Sequence, residues 1–475
     1  MNSNQHLDWA RRTFLSKSFA GIGTFALGSL MQGRSTEASG ADKHPWPALQ
    51  GFPNHPPRAK RIVHLCMAGG PSHLESLDPK PALDRIDGQP FPESFTKGQQ
   101  LAQLQGTTLK ARKSFVKFKK WGESGIEISE LFPHIGALAD DICVVRSMTT
   151  EQINHDTAHA FMNSGSIIKG RPSMGSWLLY GLGAETENLP GYVVMTSSGP
   201  GAQPVSARQW SAGFLPSKFQ GVAFQSNGSP VHYIGNPAGV CQSTQRQVID
   251  EVQRLNGMLR ERHVDPEIET RISQYEMAFK MQTAVPDLTD MKHESQETLD
   301  AYGIKSTGDG SFASNCLLAR RLLERGVRFV QLYHRGWDHH GDLEKNFTIA
   351  AEATDKPSAA LLSDLKRLGL LDDTLVLWGG EFGRTPMAQG SGRDHHINAF
   401  SVWMAGGGVK GGMTYGATDE LGYRSVENVV TVHDLHATML HLFGVEHEKL
   451  TSRFQGLDIR LTGVEPSRVV RDIIA

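Results

Sequence analysis

Short apolar runs of strand length, each beside a cluster of carboxylates and imidazoles, constrain this chain more than any other feature. Val327-Arg328-Phe329-Val330-Gln331-Leu332-Tyr333 leads into Gly336-Trp337-Asp338-His339-His340-Gly341. Thr374-Leu375-Val376-Leu377-Trp378 leads into Gly379-Gly380-Glu381-Phe382-Gly383-Arg384. A third cluster, Gly392-Arg393-Asp394-His395-His396, stands just before Phe400-Ser401-Val402-Trp403-Met404-Ala405. In an open α/β sheet the carboxyl ends of adjacent strands meet at one edge, and ligands gather there. Mixed Asp, Glu and His donors suit zinc and other borderline divalent ions. The pattern predicts a metal site assembled from distant parts of one sheet.

The remaining sequence fits such a sheet. Arg61-Ile62-Val63-His64-Leu65-Cys66-Met67-Ala68 reads as a buried strand, and Ile142–Arg146 and Gly191–Met195 as two more. Helical patterns cover about Asp156 to Asn163, Ala313 to Arg325 and Ser358 to Leu370. Helix–strand alternation with short turns predicts an α/β fold, its mostly parallel central sheet covered by helices on both faces. From about residue 197 to 310 the character changes. A Gly/Ser/Pro-rich segment with Trp210 and Phe214 gives way to charged helical sequence from Gln245 to Ala284. This reads as an inserted cap beside or over the active edge, within a domain running from residue 61 to 475.

The N-terminus carries a different signal. Ala10-Arg11-Arg12-Thr13-Phe14-Leu15 precedes a weakly apolar, Gly/Ala-rich run from Phe19 to Met31, with small residues around Ala38 to Ala41. Paired arginines before such a run predict a twin-arginine export signal over residues 1–41, and a mature protein in the periplasm or outside the cell. The run is broken by glycines and is shorter than the roughly 20 residues a span needs, which argues against a stable membrane span after processing. Residues 42–60, with five prolines, read as an extended linker. A net charge of −2 gives no argument for nucleic acid. The four cysteines lack any Cys-x-x-Cys pairing, and Cys66 and Cys143 sit in strand-like runs, as buried thiols do.

Several motifs together carry a family resemblance. Gly69-Gly70-Pro71-Ser72-His73-Leu74-Glu75, Gly170-Arg171-Pro172-Ser173-Met174-Gly175-Ser176-Trp177, Glu381-Phe382-Gly383-Arg384-Thr385-Pro386, Arg393-Asp394-His395, Arg453-Phe454-Gln455-Gly456 and Arg460-Leu461-Thr462 are the residues concerned. From about Arg61 to the C-terminus the chain resembles the sulfatase-like secreted proteins called domain of unknown function 1501. That family is similar in layout to the alkaline phosphatase superfamily. The resemblance implies an alkaline phosphatase-like sheet with metal ligands at its carboxyl edge, acting on phosphate or sulfate esters of small molecules, polysaccharides or lipid headgroups. Block by block, Asp338 and His340 look like a ligand pair, Glu381 stands where the superfamily has an Asp-His pair, and His395 resembles its last ligand. The segment Asn154-His155-Asp156-Thr157-Ala158-His159 falls at the place of the sulfatase nucleophile. Two departures stand out. The opening strand has Ser72, His73 and Glu75 in place of a terminal Asp, and there is no Cys/Ser-x-Pro-x-Arg motif.

These readings give a candidate set. Asp338, His340, Glu381, Asp394, His395 and His73 are expected metal ligands, with zinc the first expectation and calcium or manganese the alternatives. Thr157 is the candidate alkoxide nucleophile, against the bland reading of a threonine at a helix start. His155 and His159 are candidate general acids or further ligands. Arg384 is expected to pair bidentately with phosphate or sulfate oxygens. Two function classes stay open: a secreted metal-dependent ester hydrolase, and a non-catalytic protein that keeps the metal and anion site.

Overall fold

The computed structural model describes residues 46–475, apart from 200, 202, 229, 232, 233, 237, 238 and 263–265. The twin-arginine segment lies outside the described residues. Nine strands make the main sheet. In chain order they are β1 (Arg61–Met67), β2 (Ile142–Thr149), β3 (Tyr192–Thr196), β4 (Val222–Phe224), β5 (Phe329–His334), β6 (Thr374–Gly379), β9 (Phe400–Ala405), β10 (Met413–Tyr415) and β11 (Val430–Thr431); a separate hairpin, β7 (Gly383–Gln389) with β8 (Gly392–His396), falls between β6 and β9. Across the sheet the order is β10-β2-β9-β6-β1-β5-β3-β4, with β11 also pairing β2.

All pairings are parallel except those of β9, which runs antiparallel to both β2 and β6. The sheet is therefore mostly parallel, with one reversed strand. Every residue of β5, β6 and β9 is buried. Because successive side chains in a strand point to opposite faces, unbroken burial means that both faces are covered. This is the mixed α/β architecture the sequence predicts.

Register sets where the strands end. Met67 of β1 lies opposite His334 of β5, and Cys66 opposite Gly379 of β6. Three central strands thus finish at one level, and the reversed β9 begins there, which is why its cluster precedes the strand instead of following it. The loop leaving β1 passes hard against the others. Gly69 has φ +125, and a Cβ there would stand 2.4 Å from the Asp338 backbone nitrogen, so no side chain fits.

One helix departs clearly from expectation. The helix α1 (His155–Ser164) forms as expected after β2, closed by Gly165 in the left-handed region at φ 62. The helix before β6, however, spans Leu343–Arg367 and carries Pro357 in its interior. Sequence reasoning starts it at Ser358 because proline ordinarily ends a helix; burial of Leu343, Phe347, Ala350, Ala351 and Thr354 extends it upstream. Residues 197–310 contain two long helices, Gln242–Arg262 and Pro266–Thr289, and also β4, which pairs with β3 in the main sheet. All four cysteines are free; Cys66, Cys143 and Cys316 are buried and Cys241 is exposed.

Candidate metal centre

Four chain segments converge at the carboxyl edge. The loop after β5 brings Asp338 and His340, the turn after β6 brings Glu381, the end of β8 brings His395, and the first turns of α1 bring His155 and His159. The hairpin β7–β8 has a register shift between Arg393 and His395, which re-aims the end of β8.

Asp338, His340 and His395 form a tight triangle. His340 Nε2 lies 2.9 Å from Asp338 Oδ1 and 2.9 Å from His395 Nε2, and His395 Nε2 lies 3.2 Å from the same Asp338 oxygen. Donors on a tetrahedral ion with bonds of ~2.0–2.1 Å sit roughly 3.3 Å apart. The second nitrogen of each ring assigns the tautomer. His395 Nδ1 is 2.8 Å from the Ile153 carbonyl, and His340 Nδ1 faces Gln389 Oε1 at a short distance. A ring nitrogen against a carbonyl carries the proton, so each Nε2 presents a lone pair. Two lone pairs and a carboxylate oxygen then face one another. Neutral tautomers cannot satisfy that arrangement among themselves, whereas a cation between them does. Carbonyls that orient the ligand imidazoles are what metal histidines ordinarily have behind them.

A second set adjoins the first. His155 Nδ1 is 2.6 Å from Glu381 Oε1 and His155 Nε2 is 3.1 Å from Asp338 Oδ2, while His159 Nε2 is 3.3 Å from Glu381 Oε1. Beside the triangle, two groups built on His155 also have donor atoms within 4.8 Å of one another: His155–His159–Glu381 and His155–Asp338–His395. Both share His155. The Nε2 atoms of His155 and His159 are buried and face these carboxylate oxygens without hydrogen-bond geometry, and buried nitrogens without a hydrogen bond are uncommon. Both donor sets fit a divalent ion.

The electrostatics agree with a site of concentrated negative charge. Burial lowers the affinity of His155 for its proton, but the flanking Asp338 and Glu381 carboxylates overcome that and raise its pKa to about 9. Burial likewise opposes ionisation of Glu381, yet His159 and His155 hold its pKa down to about 2. Asp338 is desolvated too, and the His155, His340 and His395 rings with Arg384 keep it well below the usual carboxylate range.

Four expected site residues stand apart from these groups. Arg384 is fully buried and its guanidinium is engaged by protein: Nε donates to the Gly70 carbonyl at 3.0 Å, Nη1 to the Arg393 carbonyl at 3.2 Å, and Nη2 to Asp338 Oδ1 at 2.6 Å and, closely, to the Gly69 carbonyl. It braces Asp338 from behind. Asp394 accepts from the backbone amides of Gln103 (2.7 Å), Leu104 (3.0 Å) and His395 (2.9 Å), which pins the 101–104 loop. His73 Nε2 is 2.9 Å from the Gly422 carbonyl and shares no hydrogen bond with the cluster. Thr157 Oγ1 donates to the Asn154 carbonyl at 3.0 Å, within its own helix turn.

Sequence reasoning missed the supporting contacts. The Ile153 carbonyl and Gln389 carry no chemical signature, and only the fold shows them behind the imidazoles. It also missed Glu75 as the partner of Arg393, whose Nη2 lies 2.6 Å from Glu75 Oε1 with both side chains fully buried.

Fold and site together define an α/β protein with a histidine–carboxylate centre at the carboxyl edge of its sheet. Residues 59–474 match the family described as "Protein of unknown function (DUF1501)", and the chain belongs to that family. No protein of curated function matches it. Among solved structures it is similar to the PsFucS1 sulfatase from Pseudoalteromonas sp. (12% identity, covering 82% of this chain and 69% of that one, TM-score 0.34). It is also similar to the phosphonate monoester hydrolase of Agrobacterium radiobacter (12%, covering 87% and 77%, TM-score 0.34). A third is the C-terminal periplasmic domain of EcEptC from Escherichia coli in complex with Zn (8%, covering 89% and 96%, TM-score 0.35). Likeness at this level assigns no activity, so function is argued from the site. No helix among the described residues is long and apolar enough to cross a membrane.

Proposed function

We propose that this protein is an exported, metal-dependent hydrolase of phosphate or sulfate esters carried by a small molecule, polysaccharide or lipid headgroup. The observation that carries the reading is the triangle of Asp338 Oδ1, His340 Nε2 and His395 Nε2, whose lone pairs converge within 3.2 Å. Asp338, His340 and His395 would hold one ion, and Glu381 with His159 would hold a second or orient His155. Predominantly imidazole ligation favours zinc over calcium or manganese. Such an ion supplies Lewis-acid polarisation of the ester oxygen and acidifies water.

The chain's own residues do the rest. Ile153 and Gln389 fix the ligand rings, and Arg384 fixes the Asp338 carboxylate. His155, flanked by two carboxylates, is placed to hold a proton at the site and to hand it to the leaving oxygen. Export by the twin-arginine route accounts for the arginine pair at Arg11 and Arg12. A non-catalytic anion-binding protein is the second reading, favoured by one observation: the Thr157 hydroxyl is spent on Asn154.

The test is turnover of 4-nitrophenyl phosphate and 4-nitrophenyl sulfate by protein purified without chelator. We expect chelator-sensitive hydrolysis, and a loss of at least about a hundredfold in kcat/KM for His395→Ala, because a misplaced ion forfeits several kcal/mol of transition-state stabilisation. Thr157→Ala should retain activity within about threefold if water attacks, and fall to background if the hydroxyl does. Absence of turnover on both esters by metal-loaded protein, with phosphate or sulfate still bound, would hand the site to the second reading.

A further inference from the structure

Beside the centre lies a cleft of about 340 Å³, with Asp338 on one wall and Ser198, Gln203, Arg335 and Asn346 on the others. Arg335 is the one lysine or arginine among its lining residues. Its Nε is buried without a hydrogen-bond partner, and the guanidinium has no ion pair among the described residues. The fully buried arginines are used quite differently. Arg384 and Arg393 are surrounded by carbonyls and carboxylates, and Arg328 reaches the Gly183 and Lys60 carbonyls at 2.8 Å each. Arg335 is itself only partly buried, so its guanidinium is open to the cleft and unpaired there, placed to meet an anionic group of a ligand.

A second donor stands close by. Gln203 is 9% exposed, and its Oε1 accepts the Gly336 N–H at 2.9 Å, which leaves its amide N–H groups to donate. The approach that makes this bond is tight. A Cβ at Gly201 would come within 2.5 Å of Gln203 Oε1 and 2.7 Å of the Gly336 nitrogen. The cleft's carboxylate, Asp338, is already bound by Arg384, His155, His340 and His395. Its negative charge is therefore not available to Arg335.

We propose that Arg335 and Gln203 form a subsite for a second anionic group on the ester substrate. This rests on the ester-hydrolase reading and deepens it by naming the substrate class: an ester that carries a further fixed oxyanion, either a carboxylate or a sulfo or phospho group. A planar guanidinium meets either oxyanion bidentately, and an adjacent amide donor adds a third hydrogen bond.

Phenyl phosphate, 4-carboxyphenyl phosphate and 4-sulfophenyl phosphate, with the matching sulfates, separate the possibilities. Wild type should prefer the doubly anionic esters, and Arg335→Gln should reduce the ratio of their kcat/KM to that of the phenyl ester at least about tenfold. Arg335→Lys, which keeps charge without the fork, should recover part of the ratio. Preference for the carboxylate over the sulfonate, or the reverse, identifies which oxyanion the subsite takes. An unchanged ratio in Arg335→Gln, or a parallel fall on singly and doubly anionic esters, overturns the proposal. If wild type hydrolyses none of them, the same esters are read by calorimetry. A preference in Kd that Arg335→Gln abolishes upholds the subsite while the hydrolase reading fails, and equal or absent binding overturns it.

Discussion

The hairpin β7–β8 borders two polar nests, one fully buried and one partly exposed, that differ in how their hydrogen bonds are met. On one side Arg393 meets Glu75 through Nε at 3.1 and 3.0 Å and Nη2 at 2.6 Å, and its remaining N–H groups reach the carbonyls of Arg112, Thr385 and Lys113 at 3.1–3.2 Å. Ser72 donates to Glu75 Oε2, which also accepts from Arg393 Nε. Charges balance and the donors are used. On the other side, two residues further on, His395 turns a lone pair toward another lone pair and a carboxylate. A saturated nest of basic and acidic groups holds the fold together, whereas an unsaturated one is waiting for something. Counting acidic and basic residues would not have told them apart; satisfying their hydrogen bonds does.

That contrast can be broken by mutation. Removing Arg393 strands a buried carboxylate, so Arg393→Ala should lose about 3–5 kcal/mol of unfolding free energy in chelator-treated protein. His340→Ala removes a partly exposed ring from a repulsive triangle and should cost less than about 1 kcal/mol under the same conditions. Urea denaturation of the two variants beside wild type makes the comparison. Similar losses in both would mean that the two nests are alike after all.

A smaller effect sharpens it through pH. In metal-free protein the His155 pKa is raised from 6.5 to about 9 by its two carboxylate neighbours. A raised folded-state pKa stabilises the fold fully below the unfolded value and loses that contribution as pH climbs through the folded one. Chelator-treated wild type should therefore lose stability between pH 6.5 and about 9.5 relative to His155→Gln, as followed by thermal denaturation. Parallel curves for the two proteins would contradict the ion-paired state of His155.

Much of this arrangement is legible in the sequence. Apolar runs such as Thr374–Trp378 can only be buried strands, and a cluster at the end of such a run must lie at a sheet edge. That logic brings the three clusters to one edge, and the family resemblance picks Asp338, His340, Glu381 and His395 out of them. What residue type does not give is direction. Asp394 sits beside His395 in sequence, yet its oxygens collect backbone amides of the 101–104 loop, and nothing local distinguishes it from a ligand. Arg384 is the residue type that binds oxyanions, but burial commits it to Gly69, Gly70 and Asp338. The hairpin carrying His395 escaped notice because Arg393-Asp394-His395-His396 has no apolar alternation, although every residue of β8 is buried. Pro357 concealed the first half of its helix for the local reason already given.

Metal content measures the central claim most directly. Protein purified without chelator, dialysed against metal-free buffer and analysed by elemental mass spectrometry should retain at least one transition-metal equivalent per chain. The double variant His340→Ala/His395→Ala should retain less than about a tenth of that while remaining folded, because two of the three convergent donors are gone. Wild type that holds no stoichiometric metal, even after incubation with zinc, would contradict the account. So would a double variant that binds as much as wild type.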